Sequence, residues 1–312
     1  MPTFEDFMFD STRAGHRLHA RICRPDGEPV CVVQIAHGIA EHIDRYADFM
    51  EFLASNGIVA VGNDHLGHGK SITAPEDQGF FAESDGWRYA VDDMAALRDI
   101  VRKEYPDLPY VFFGHSMGSF LTRTFLIRYP ERYDAAIISG TGHQAAPVSL
   151  AGYALASGAV RRGGPRKVGT MLSGVAFGSY CKKIPNARTP FDWLSRDEKV
   201  VDAYVADPLC GFTPTNGLFR DMMSGIRFIT DQKNIDTMNK DKPVYFMSGK
   251  EDPVGEYGKG VEKAYEAFCK AGLKNVTIRL YPDGRHEMLN ELNKADVYND
   301  ILTWLKENVL EQ

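Results

Sequence analysis

Apolar positions along this chain follow two different periods. The runs VCVVQIA (30–36), IVAVGND (58–64), YVFFG (110–114), AAIISG (135–140), VYFMSG (244–249) and NVTIRLY (275–281) are short and nearly all apolar, as buried parallel strands are. Between them the spacing lengthens to threes and fours. Over 86–105, Ala90, Val91, Met94, Leu97 and Val101 recur on one helical face while Arg98, Arg102 and Lys103 fall elsewhere. Pro106 ends that helix, because proline disfavours helical geometry in the residue before it. Near the N-terminus, FEDFMFD (4–10) and HRLHARICR (16–24) flank the polar turn STRAG, which predicts an antiparallel hairpin. Strands alternating with helices specify the α/β class: an eight-stranded, mostly parallel sheet flanked by helices.

One stretch breaks the alternation. From about 142 to 218 no buried-strand run occurs, and Gly- and Pro-rich breaks separate modest helical pieces such as SRDEKVVDAYVAD. This predicts a helical cap, residues 142–218, inserted after the sixth strand, over a core formed by 1–141 and 219–312.

Composition narrows the function classes. The 312 residues are 44% hydrophobic and 25% charged, enough for a sizeable core. A formal net charge of -6 argues against a nucleic-acid partner, which calls for a basic surface. Cys23, Cys31, Cys181, Cys210 and Cys269 are scattered, with no CxxC pair; they read as reduced thiols in a cytoplasmic protein. The acidic N-terminus lacks the apolar core of a signal peptide. AAPVSLAGYALASGAV (145–160) falls short of the roughly 18 apolar residues of a membrane span.

The chemistry centres on VFFGHSMGSF (111–120). A strand runs into GHSMG and a helix follows, so Ser116 sits on a sharp turn where Gly114 and Gly118 avoid a clash. A serine needs a base and a group to orient it. His286, on the loop PDGRHE after the last strand, is the candidate base. Asp252, just past a strand end in SGKEDPV, is preferred as the acid over Glu251 and Asp283. The resulting order is Ser, Asp, His. Oxyanion donors are expected from the N–H of Met117, the residue after the nucleophile, and of Ile39, in the loop AHGIAEH. HEMLN lacks the second histidine of HExxH, and His37 and His42 do not match a zinc spacing. No metal and no cofactor are expected.

AHGIAEHIDRY, GNDHLGHGKS, GHSMGS, ADPL, SGKEDPVG and GRHEMLNE together resemble the monoacylglycerol lipase and lysophospholipase branch of the α/β-hydrolases. The resemblance covers most of the chain and is thin across the cap, apart from SRDEKVVDAYVADPL, which looks like the family's cap-to-core segment. It implies Ser116 as nucleophile, Asp252 as acid, His286 as base, and Ile39 with Met117 as oxyanion donors. It further implies that His37, Glu41, His42 and Arg45 brace the site, with Asp64, His65 and His68 in support. Ser119 stands where related hydrolases carry a third glycine, and little consequence is expected. His115 should point away from the nucleophile.

The substrate class follows as a lipid-type ester, with LAGYALASGAV and TMLSGVAFGSY as candidate walls for an acyl chain or simply as packing. Arg161, Arg162, Arg166 and Lys167 beside them read first as a solvated loop and second as a face for transient membrane contact. A small-molecule esterase and an amidase or iminopeptidase remain open, since the fold hosts several chemistries. For a peptidase, Asp192, Asp197 and Glu198 would be the acids available to hold a free amine. A non-catalytic binding protein is the reading from a different class.

Overall fold

Alternation of side chains along each strand sends one set of apolar residues to each face of a sheet, and the computed structural model, which describes residues 1–311, fills both faces. Eight strands form one sheet: β1 (Thr3–Asp10), β2 (Arg17–Arg24), β3 (Cys31–Ala36), β4 (Ile58–Asn63), β5 (Tyr110–His115), β6 (Ala135–Ser139), β7 (Val244–Gly249) and β8 (Val276–Tyr281). Their spatial order is β1-β2-β4-β3-β5-β6-β7-β8. The β1–β2 and β2–β4 pairs are antiparallel and all others parallel. Helices α1 (Ala47–Ser55), α2 (Gly86–Glu104), α3 (Met117–Arg128), α4 (Ala146–Gly163), α5 (Thr170–Phe177), α6 (Glu198–Ala206), α7 (Asn216–Thr230), α8 (Gln232–Ile235), α9 (Lys259–Lys270) and α10 (Lys294–Leu305) connect them.

Val32, Val59, Phe112 and Phe246 pack with α2, α3, α7 and α9 on one face. Their neighbours Val33, Ala60, Phe113 and Met247 pack with α1 and α10 on the other. Of the six runs read as buried strands, one departs from that pattern. β8 is half-exposed over most of its length, because it pairs only with β7 and its free edge faces solvent. Thr277 and Arg279 inside NVTIRLY carry that signal in the sequence.

The chain from β6 to β7 carries α4 to α8. A separate small apolar cluster of Trp193, Leu194, Tyr204 and Cys210 lies within it. Helix α7 spans residue 218 and packs on α2 and α3 as well as α4. Among the described residues no helix is long and apolar enough to cross a membrane.

Candidate active site

Loops leaving β3, β5, β7 and β8 meet at the carboxyl end of the parallel strands, where open α/β sheets form their binding crevice. Past β5 the backbone reaches Ser116 at φ 52°, ψ −121°, a conformation that a residue with a side chain adopts only when its surroundings enforce it. The Ser116 N–H donates to the Ser139 carbonyl at 3.0 Å. Its own carbonyl accepts from the Ser119 N–H at 2.9 Å and from the buried Ser119 hydroxyl at 2.6 Å. Ser119, expected to matter little, therefore helps fasten the turn. A Cβ on Gly114 would lie 2.5 Å from the Gly118 carbonyl oxygen, as the sequence implied, while one on Gly118 would strike the Ala36 carbonyl at the end of β3.

His286 and Asp252 meet in the loops after β8 and β7. The His286 Nδ1 lies 2.9 Å from the Asp252 Oδ2, so the ring donates from Nδ1 to the carboxylate. The Val254 N–H (2.9 Å) and the Ser248 hydroxyl (3.0 Å) also donate to Asp252. Neither Glu251 nor Asp283 bonds His286; Asp283 occupies the turn with φ 57°. Burial by itself would lower the His286 pKa, but the charge and hydrogen bond of Asp252 outweigh it and hold the pKa above the ordinary value. Burial likewise works to raise the Asp252 pKa, and His286 holds it below the usual range. That leaves the buried His286 Nε2 without a partner among the described residues. Ser116 and His286 line the same cavity, of about 250 Å³, although no hydrogen bond joins them in this structure.

Ile39 lines that cavity beside Ser116, and Met117, first in α3, has no acceptor for its N–H within its own helix. The Ile39 loop is held from outside. The Gly38 N–H donates to Glu41 Oε1 at 2.5 Å, the Tyr46 hydroxyl donates to the same oxygen at 2.8 Å, and Arg45 bonds Glu41. Arg45 also reaches both oxygens of Glu287, each at 2.7 Å. Glu287 would be raised by burial, but Arg45 draws its pKa down to about 2. One buried guanidinium thus ties the Ile39 loop to the residue after His286. His37, His65 and His68 form a buried cluster, and the His37 Nε2 accepts from the His65 N–H at 3.0 Å. Asp64 accepts from the Ile43 and Lys70 N–H groups at 2.8 Å.

His115 does not point away. Its ring lies 4.6 Å from that of His286 and lines the cavity, and burial, then His286, depress its pKa to about 3. Gly140, at φ 59°, makes room: a Cβ there would lie 2.9 Å from His286 Cε1 and 3.0 Å from His115 Cε1. No sequence motif singles out Gly140, nor Trp193, whose ring lies 4.9 Å from His286. The Leu194 carbonyl accepts from the Glu287 N–H at 2.7 Å. FDWLS, an apolar island between breaks, was the available signal. Of the two candidate wall segments, only the second contributes, through Ser173, Gly174, Phe177 and Gly178. Asp192, Asp197 and Glu198 do not line the cavity.

This sheet order, with a strained serine turn after β5, defines an α/β-hydrolase. Residues 27–293 match the serine aminopeptidase S33 family (Hydrolase_4), and the chain belongs to that family. It is similar to the monoacylglycerol lipase of Mycolicibacterium smegmatis, 28% identical over 96% of this chain and 99% of that protein. The monoglyceride lipase of Rattus norvegicus is 24% identical over 95% of this chain and 88% of its own length. Among solved structures, a thermostable carboxyl esterase from Bacillus coagulans in complex with glycerol superposes with a TM-score of 0.91 at 28% identity, covering 98% of this chain and 99% of that one.

Proposed function

We propose that this chain hydrolyses lipid-type carboxylic esters, monoacylglycerols or lysophospholipids, through an acyl-enzyme on Ser116. The Ser116 hydroxyl attacks the ester carbonyl and passes its proton to His286 Nε2, while Asp252 stabilises the imidazolium. The N–H groups of Ile39 and Met117 receive the oxyanion. His286 then protonates the departing alcohol, and water, activated by the same nitrogen, releases the acid. The observation that carries this reading is the unpartnered, buried Nε2 of an Asp252-bonded ring in the cavity that also holds Ser116.

Residues 142–218 serve as the cap in this reading, over a core of 1–141 and 219–312. Phe177, Phe191, Trp193, Leu194 and Phe212 give the cavity an apolar wall, which suits an acyl chain. Its two carboxylates, Glu41 and Glu287, are both bonded to Arg45, so neither offers a free anion to a peptide's amine. That favours esters over aminopeptidase substrates. Val148, Leu150 and Leu155 on α4 and Val168, Met171 and Val175 on and beside α5 are exposed, and Arg161 and Arg162 end α4. We assign this cap surface to transient contact with lipid assemblies. Arg166 is engaged with Asp77 and Glu83. Five free cysteines, three of them buried, suit a cytoplasmic setting.

The test is hydrolysis of a chain-length series of p-nitrophenyl esters, a monoacylglycerol, lysophosphatidylcholine and an aminoacyl anilide, with Ser116→Ala as control. Turnover rising toward long acyl chains and abolished in the variant is expected. Cleavage of the anilide in preference to every ester would overturn the ester assignment.

A further inference from the structure

A second cluster of metal-ligating side chains lies at the junction of the cap with the core. His42 follows the Ile39 loop, Asp207 follows α6, and Cys210 stands in the turn beyond it. His42 Nε2 and Asp207 Oδ2 are 2.9 Å apart, and a ligand atom from each of the three residues lies within 4.8 Å of the other two. We propose that His42, Asp207 and Cys210 form a binding site for one zinc-class cation that staples the cap to the loop carrying Ile39.

Tetrahedral coordination, with bonds of about 2.0 Å to nitrogen and oxygen and about 2.3 Å to sulfur, spaces ligand atoms about 3.3–3.5 Å apart. Movements of the order of an ångström bring the three atoms to that spacing. One imidazole, one carboxylate and one thiolate select zinc-like ions over magnesium or calcium, which take oxygen donors. His42 and Cys210 are buried, whereas the Asp207 side chain is 31% exposed, giving the ion a path in and water a fourth position. Asp207 is already oriented, because its Oδ1 accepts from the Leu209 N–H at 2.8 Å while Oδ2 faces His42; such outer bonds position metal ligands. On binding, the Cys210 thiol releases its proton to solvent and the sulfur takes the metal bond.

The site adjoins a contact between cap and core. The Ala40 carbonyl accepts from the Gly211 N–H at 3.0 Å and from the Tyr204 hydroxyl at 2.9 Å. A cation at Cys210 fixes the same turn from its other side. A ligand bound only by the folded chain must also stabilise it.

Zinc titration of the full chain by calorimetry, with thermal unfolding in parallel, tests the assignment. One zinc per chain, a rise in Tm, and affinity falling by more than about 10–100-fold in both Cys210→Ser and His42→Gln are expected. No zinc binding by the wild-type protein, or binding retained in both variants, overturns the proposal. Zinc-edge X-ray absorption of the wild-type protein needs no variant to fold. One sulfur at about 2.3 Å supports the site, and a shell of nitrogen and oxygen alone rejects it.

Discussion

In the proposed mechanism His286 must be neutral to accept a proton from Ser116, yet Asp252 holds its pKa above the ordinary value. On the proposed mechanism, kcat/KM therefore falls as pH drops through a value above about 6.5. Asp252→Asn removes the charge that raises this pKa. It should move the acid limb to lower pH and reduce kcat about 10⁴-fold, measured as a pH–rate profile on a soluble ester. An acid limb at the same pH in the variant would remove Asp252 from the assignment. Stability runs the other way. A raised folded-state pKa contributes stability that is fully present below the unfolded value near 6.5 and is lost as pH rises through the folded one, so the pair binds its proton best where it catalyses least.

At the scale of elements, the ends of β5 and β6 decide where the rings can sit. Gly140, just past β6, lies against both His286 and His115 and has φ 59°. Gly140→Ala should push the imidazole aside and strain the backbone. Because a displacement of about 1 Å can cost about 100-fold, kcat should fall by that order with KM little changed, as steady-state kinetics would read. Wild-type kcat in the variant would mean that the ring is not confined from this side. The exposed apolar residues of α4 and α5 support a separate expectation. Leu150→Asp combined with Val175→Asp should slow hydrolysis of monoacylglycerol presented in vesicles and leave soluble short-chain esters unaffected; equal loss on both would point to damage to the cavity instead.

Across the whole molecule, the Arg45 bridge joins chain segments more than two hundred residues apart. Arg45→Met leaves Glu41 and Glu287 buried without their cation, and removing one partner of a buried pair costs about 3–5 kcal/mol. Urea denaturation should register that loss, and adding Glu41→Gln and Glu287→Gln should recover a large part of it. No recovery would assign the effect to lost packing. In acid the sign reverses relative to His286. The depressed Glu287 pKa gives stability that is present above the unfolded value near 4.5 and lost as pH falls toward about 2.

The α/β class, the N-terminal hairpin, the order of strands along the chain and the glycine-flanked turn at Ser116 are all legible in the residue pattern alone. These rest on local rules of hydrophobic period, turn chemistry and steric room, which act over a few residues. The same rules pointed to Asp252 and His286, since both stand just past strand ends. The folded chain sets what no local period encodes. It brought Asp252 rather than Glu251 or Asp283 to His286, turned His115 toward the cavity, placed Trp193 against His286, and left β8 half-exposed at the sheet edge. It also joined His42 to Asp207, 165 residues away. Contacts of that kind depend on how distant segments pack, and the spacing of residues along a chain does not specify that packing.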